Sequence, residues 1–158
     1  MLISLVNVPP IAAQTGAEAA TSIDTIGVWR AVAAYLRSTV GPRLMLKSGP
    51  LCTPGTNLCA DSETVAAHQH ATSAATGLPE VTGPVKMTCA RHICRFDDIN
   101  GIVGFGIPQF DGATAIIRVS MSIRPKGAPA NWYELDELQL TRGSNGWTVT
   151  GRQRLSIT

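Results

Sequence analysis

A chain of 158 residues that is 44% hydrophobic is long enough for one domain burying roughly 70% of its unfolded surface. No apolar stretch approaches the roughly 18 residues that a membrane-spanning helix requires. Its 13 basic and 11 acidic residues leave a net charge of +2 with no long run of like charge, which excludes an extended nucleic-acid-binding face.

Taken in chain order, residues 1–14 open with Leu2, Ile3, Leu5, Val6 and Val8 and pass through Pro9-Pro10 to Ala12-Ala13-Gln14. A short apolar run followed by small residues is the pattern of a signal-peptide end, with cleavage after Ala13. Residues 1–21 are therefore expected to be a signal remnant or a disordered tail, and residues 22–158 a single domain. From Ser22 the apolar positions Ile26, Trp29, Val32, Ala33, Leu36 and Val40 recur at three- and four-residue spacing, which predicts an amphipathic helix ended by Gly41-Pro42. Trp29 is its expected anchor, and Arg30 and Arg37 fall on its water-facing side. Residues 43–47 have the length and composition of a short strand. Asp61-Ser62-Glu63 opens a second helix that runs to Thr76 and stops at Gly77. Its Ala- and Thr-rich stripe is weakly apolar, so it is expected to be held less firmly than the first.

Four cysteines in two close pairs, Cys52 with Cys59 and Cys89 with Cys94, suit an oxidising compartment. Three connectivities are possible. Pro54-Gly55 supplies a reversal that favours a Cys52–Cys59 ring. Residues 86–96 read as a strand or a tight hairpin, and parity constrains the choice. Cysteines five apart in one extended strand point to opposite faces, so a Cys89–Cys94 bridge requires a turn at Arg91-His92. Residues 97–108, with Gly101, Gly104 and Gly106, read as a loop or an irregular edge strand.

The last third is an antiparallel meander. Ala113, Ala115, Ile117, Val119, Met121 and Ile123 form one face, and Thr114, Arg118, Ser120, Ser122 and Arg124 the other. Tyr133 and Leu135 continue the odd-numbered apolar phase while Leu138 and Leu140 are even-numbered. A β-bulge near Asp136-Glu137 is therefore expected to keep one face apolar. After a turn at residues 143–146, Trp147, Val149, Leu155 and Ile157 share a face opposite Thr148, Thr150, Arg152 and Arg154. These elements predict an α+β domain: N-terminal helices packed on a strongly curved antiparallel β-sheet, a cone-like half-barrel.

An N-terminal helix and a closing meander that reads Tyr133-Glu134-Leu135-Asp136-Glu137-Leu138-Gln139-Leu140-Thr141-Arg142, turn, Gly146-Trp147-Thr148-Val149 resemble the nuclear transport factor 2-like superfamily over about the last thirty residues. Members of that superfamily include isomerases, dehydratases and epoxide hydrolases as well as non-catalytic binding and assembly domains. The resemblance thus implies a pocket rather than a reaction.

Residue chemistry adds candidates of limited specificity. A lumen of the cone brings Asp136 together with Arg118, Trp132 and Tyr133, with Asp136 and Tyr133 as the acid–base pair of a pocket enzyme. Asp97-Asp98 and Asp136-Glu137 are adjacent carboxylates, which usually diverge. Arg118, Arg124, Arg152 and Arg154 form a stripe that, if it shares one sheet face, offers a surface to an acidic partner, a phosphate-bearing ligand or a second copy of the chain. His68 and His70 lie two apart, the wrong spacing for one face of a helix, so solvent-facing histidines are expected and no metal. No cofactor motif occurs. The expectation is a small extracytoplasmic, disulfide-stabilised, non-catalytic binding or interaction module, with homodimerisation through the sheet face; the alternative is the pocket enzyme.

Overall fold

The computed structural model describes residues 23–47, 49, 51, 60–91, 93–124 and 130–157. The expected tail at residues 1–21 and the Cys52–Cys59 ring lie outside these residues. Helix α1 (Ile23–Thr39) and helix α2 (Ser62–Thr76) alternate with and precede strands β1 (Leu44–Leu46), β2 (Met87–Ala90), β3 (Ile93–Phe96), β4 (Gly101–Phe105), β5 (Gln109–Asp111), β6 (Thr114–Ile123), β7 (Trp132–Gly143) and β8 (Gly146–Ile157). The class is α+β, as the periodicities predict.

The main sheet runs β1-β4-β6-β7-β8, with β5 following β4 along the same side of β6. It is antiparallel except for β1 and β4, which pair in parallel. A parallel pair needs a long crossover, and the chain between β1 and β4 supplies one through α2. The middle of the segment read as a loop or irregular edge strand, residues 101–105, is therefore neither: β4 sits inside the sheet, hydrogen-bonded on both sides. Its Gly-rich sequence hides the strand, since glycine carries no period-2 signal.

The core lies on one face of this sheet. Val103 and Phe105 of β4, the odd-numbered residues 115–123 of β6, and Leu138 and Leu140 of β7 are buried against Val28, Trp29, Val32, Ala33 and Leu36 of α1. Trp29 is 1% exposed and hydrogen-bonds through Nε1 to the Gly106 carbonyl at 3.4 Å, so it is the anchor that its spacing predicts. At the start of α1, Asp24 accepts hydrogen bonds from Trp147 Nε1 and Arg142, which ties the helix to the β7–β8 turn.

Helix α2 is held by polar contacts where its apolar stripe is thin. Asp61 caps its N-terminus by accepting from the Thr64 amide at 2.7 Å, and Gly77, in the left-handed region, ends it. Arg30 and Arg37 of α1 donate to the Ala75 and Thr76 carbonyls, so these arginines serve the C-terminal end of α2 and do not simply face water. His68, Thr72 and Thr76 form its buried stripe.

Strands β2 and β3 form a separate hairpin with Arg91 in a left-handed turn conformation, φ 48°, and Cys89 bonded to Cys94 directly across the two strands. A two-stranded ribbon alone is marginal. Closing its short loop contributes about 2 kcal/mol in the chain-entropy model. Phe96 is buried, and Asn131 donates to the Cys94 carbonyl and accepts from the Phe96 amide, which roots the hairpin on the domain.

The expected bulge in β7 is absent. β7 pairs with β6 in unbroken register from Trp132 to Thr141, so Glu134 and Asp136 lie on the same buried face as Leu138 and Leu140. Tyr133 and Leu135 project from the other face. Both irregularities fall between β7 and β8, where Thr150 and Leu155 of β8 have no opposite residue. The apolar phase change across Asp136-Glu137 is not corrected by a slip because the buried carboxylates are neutralised by charged partners. The two phases of β7 give a direct test: Leu138→Ala should lower unfolding stability by about 2–5 kcal/mol and Tyr133→Ala by less than about 1 kcal/mol, measured by urea denaturation. Equal losses would contradict the burial of the even-numbered face of β7.

Candidate functional site

The two faces of β7 carry different chemistry. On the inner face, Glu134 is 2% exposed and Asp136 is 0% exposed. Arg152 of β8 donates through Nε to Asp136 and through Nη2 to Glu134 at 2.7 Å, and Arg154 donates to the other Glu134 oxygen at 3.1 Å. The Thr150 bulge makes this possible. In a regular strand Arg152 and Arg154 would lie opposite Trp147 and Val149, but one extra residue rotates them onto the inner face, beside Leu138 and Asp136. Burial pushes the Arg152 guanidinium downward. The Asp136 and Glu134 charges and hydrogen bonds to Asp136 and the Tyr35 hydroxyl outweigh that, and hold it above the ordinary range. Two carboxylates and two guanidinium groups thus compensate one another. Among the described residues, Asp136 Oδ1 is left without a hydrogen-bond partner.

The arginine stripe expected from sequence is therefore divided. Arg152 and Arg154 face inward, whereas Arg118 lies on the outer face, directly across from Glu137, to which its Nε donates at 3.4 Å. The expected lumen constellation is divided for the same reason: Asp136 is inside, Arg118 and Tyr133 are outside, and Trp132 stands at the start of β7, 39% exposed. Alternation makes Asp136 and Tyr133, three apart, point away from each other. The space a lumen would occupy is filled by Trp29, Leu36 and Leu138, with Trp147 packed against them.

The outer face holds a groove of about 580 Å³, within the range of small-ligand sites. Its floor is Ile116, Arg118 and Ser120 of β6 with Tyr133, Leu135 and Glu137 of β7. Its wall is built by Gly49, Leu51 and the Gly104–Ile107 segment. The glycine at 104 is required there, because a Cβ would lie 2.6 Å from Ser120 Oγ and 2.7 Å from the Lys47 carbonyl. Without that side chain the backbone after β1 can cross the outer face and raise the wall. Ile107, Ile116 and Tyr133 are 46%, 38% and 45% exposed, a concentration of apolar surface beside one ion pair. Sequence reasoning read Gly104 and Gly106 as part of a loop or edge strand, named Glu137 only as one of two adjacent carboxylates, and missed Ile116, Ser120 and Leu135. Their signal was the even and odd phases of β6 and β7, readable once the register between the two strands is known.

The histidines separate as their spacing requires, with one correction. His70 is exposed and pairs with Glu80 at 3.2 Å, whereas His68 is buried, edge-on to the Trp29 ring at 5.2 Å. Its Nε2 lies 2.7 Å from the Phe105 carbonyl, which only accepts, so the neutral ring carries its proton on Nε2. Helical position alone did not reveal that α2 turns this residue toward β4. Among the described residues, no group of three or more His, Cys, Asp or Glu side chains could hold a metal ion. No described helix is long and apolar enough to cross a membrane. No family model, curated protein or solved structure gives a significant match to this chain.

Removing Arg152 by Arg152→Ala should cost about 3–5 kcal/mol, because it leaves two buried carboxylates undercompensated. The triple change Glu134→Leu, Asp136→Leu, Arg152→Met should recover most of that loss, as read by urea midpoints. His68 supplies a pH test. Desolvation lowers its folded pKa below the ordinary 6.5, only partly offset by the bond to Phe105. The unfolded chain then binds the proton more readily, so this contribution to stability is present above about pH 6.5 and is lost as pH falls through the depressed folded value. Thermal midpoints of the native protein should drop across that window more than those of His68→Gln; parallel curves would contradict the assignment.

Proposed function

We propose that this protein is a small, exported, disulfide-stabilised binding module that holds an apolar or amphipathic ligand in the outer-face groove and catalyses no reaction. The observation that carries this reading is the groove itself, with Ile107, Ile116 and Tyr133 left in contact with water around the Arg118–Glu137 pair. Isolated exposed apolar residues need no explanation, but a concave cluster of them with a few convergent polar groups is how small-molecule sites are built. The pocket-enzyme reading has no observation in its favour, since Asp136 is engaged by Arg152 and points away from Tyr133.

The bulged β8 and the packing of both helices against one face support reading the sheet as the curved half-barrel of the nuclear transport factor 2-like superfamily. The Cys89–Cys94 bond supports an extracytoplasmic location. Two copies pairing through the outer face would enclose the groove between them, which is the homodimer we infer.

Anilinonaphthalene sulfonate, an apolar ring system with one anionic group, is a suitable probe. Native protein should enhance its fluorescence saturably. Ile116→Asp combined with Tyr133→Ala should weaken its binding at least roughly tenfold, the effect of losing one large apolar contact. No saturable signal from the folded protein, or an affinity unchanged by both substitutions, would remove the groove from consideration.

A further inference from the structure

The β2–β3 hairpin takes no part in the core cluster or in the outer groove, yet it carries the disulfide. All four residues of β2 are exposed, and Met87 and Ile93 are 50% and 42% exposed. From residue 86 to residue 96 the sequence contains Lys86, Arg91 and Arg95 and no acidic residue; Asp97 and Asp98 follow at the base of the ribbon. Thr88, Ala90, Ile93 and Arg95 share one face by the pairing of the strands, and every one of them is exposed. Arg91 stands at the turn. The hydrogen bonds between Asn131 and β3 bring the start of β7 alongside, where the Trp132 side chain is 39% exposed.

We propose that this hairpin, together with Trp132, is a peripheral docking surface for an anionic phospholipid bilayer. The mixture of side chains selects that partner. Met87 lies on the opposite face of the ribbon with Cys89, Cys94 and the buried Phe96 and takes no part in this surface. An acidic protein segment would satisfy the guanidinium groups but leave Ile93 and Trp132 in water. An anionic headgroup layer pairs with Lys86, Arg91 and Arg95 while its boundary with the acyl chains accepts the apolar side chains, Trp most readily of all. The Cys89–Cys94 bond fits this role because it holds a protruding ribbon in its paired form, so that little ordering is required on contact. The protein docks on the surface without crossing it, and the surface is separate from the outer groove.

The test is flotation of the full chain, disulfide intact, with vesicles of phosphatidylcholine alone or with roughly one part in three phosphatidylglycerol. Binding is expected to the anionic vesicles, to weaken as salt shortens the screening length from about 30 Å at 0.01 M to about 10 Å at 0.1 M, and to be minor on phosphatidylcholine. Each basic residue at an anionic surface contributes about fivefold, so Arg91→Gln with Arg95→Gln should lower the partition coefficient roughly thirty-fold. The control Arg30→Gln with Arg142→Gln removes the same net charge from α1 and from the far end of β7, and should lower it much less; circular dichroism confirms that both pairs remain folded. Trp132→Ala should weaken binding without changing its salt dependence. Absence of binding to anionic vesicles, equal partition into both lipids, or equal losses from the two arginine pairs would overturn the proposal.

Discussion

The constraint on which the rest of the sheet depends is that two carboxylates on β7 face the core. Glu134 and Asp136 are shielded from water, and an isolated ionised carboxylate there would cost far more than a single domain can spare. They are tolerated because Arg152 and Arg154 reach them from the neighbouring strand. That requirement determines the shape of β8. A strand that keeps strict alternation from Trp147 and Val149 would carry both arginines to the outer face. The extra residue at Thr150 turns them inward, and the one at Leu155 alters the phase again beyond them. Bulges raise local twist in the strand that contains them, so charge compensation and the register shifts of β8 have the same structural origin.

A similar economy of apolar material explains the helices. α1 carries the apolar stripe that covers the sheet, whereas α2 buries His68, Thr72 and Thr76. These polar groups are accommodated by bonding to main-chain carbonyls: His68 to Phe105, Thr72 to His68 and Thr76 to Thr72. Arg30 and Arg37 supply donors to the carbonyls near the end of α2. The helix is thus positioned by directed hydrogen bonds, with Trp29 packed edge-on against its one buried ring.

The consequence for function is a division of labour between surfaces. The inner face is occupied by packed side chains and a neutralised ion cluster, which leaves chemistry there with little room. The outer face keeps apolar side chains beside Arg118 and Glu137, because among the described residues the packed helix side chains join the core on the opposite face. The hairpin is a third surface, basic and separately stapled. The recognition we propose therefore uses what the sheet presents outward and what protrudes from it.

Both helices, the alternation of β6 and the reversal at residues 143–146 were legible in the sequence, because each rests on local signals: spacing of three and four, caps, Gly, and period two; the Cys89–Cys94 hairpin was one of the alternatives that the sequence left open. The phase of β7 was not legible. Tyr133 and Leu135 looked like the core side because apolar side chains usually are, and only the pairing with β6 reveals that Glu134 and Asp136 take that place. The same limit hid the burial of His68 and divided the arginines. In each case the deciding partner lies far away in the chain: Phe105 for His68, Arg152 for Asp136, Glu137 for Arg118. Sequence by itself determined most of the segments that are helix or strand, the Gly-rich β4 excepted, since backbone preference and local period act over a few residues. Tertiary structure alone decided which face of each strand is buried, because the free energy of burying a charge depends on a partner that folding must bring to it.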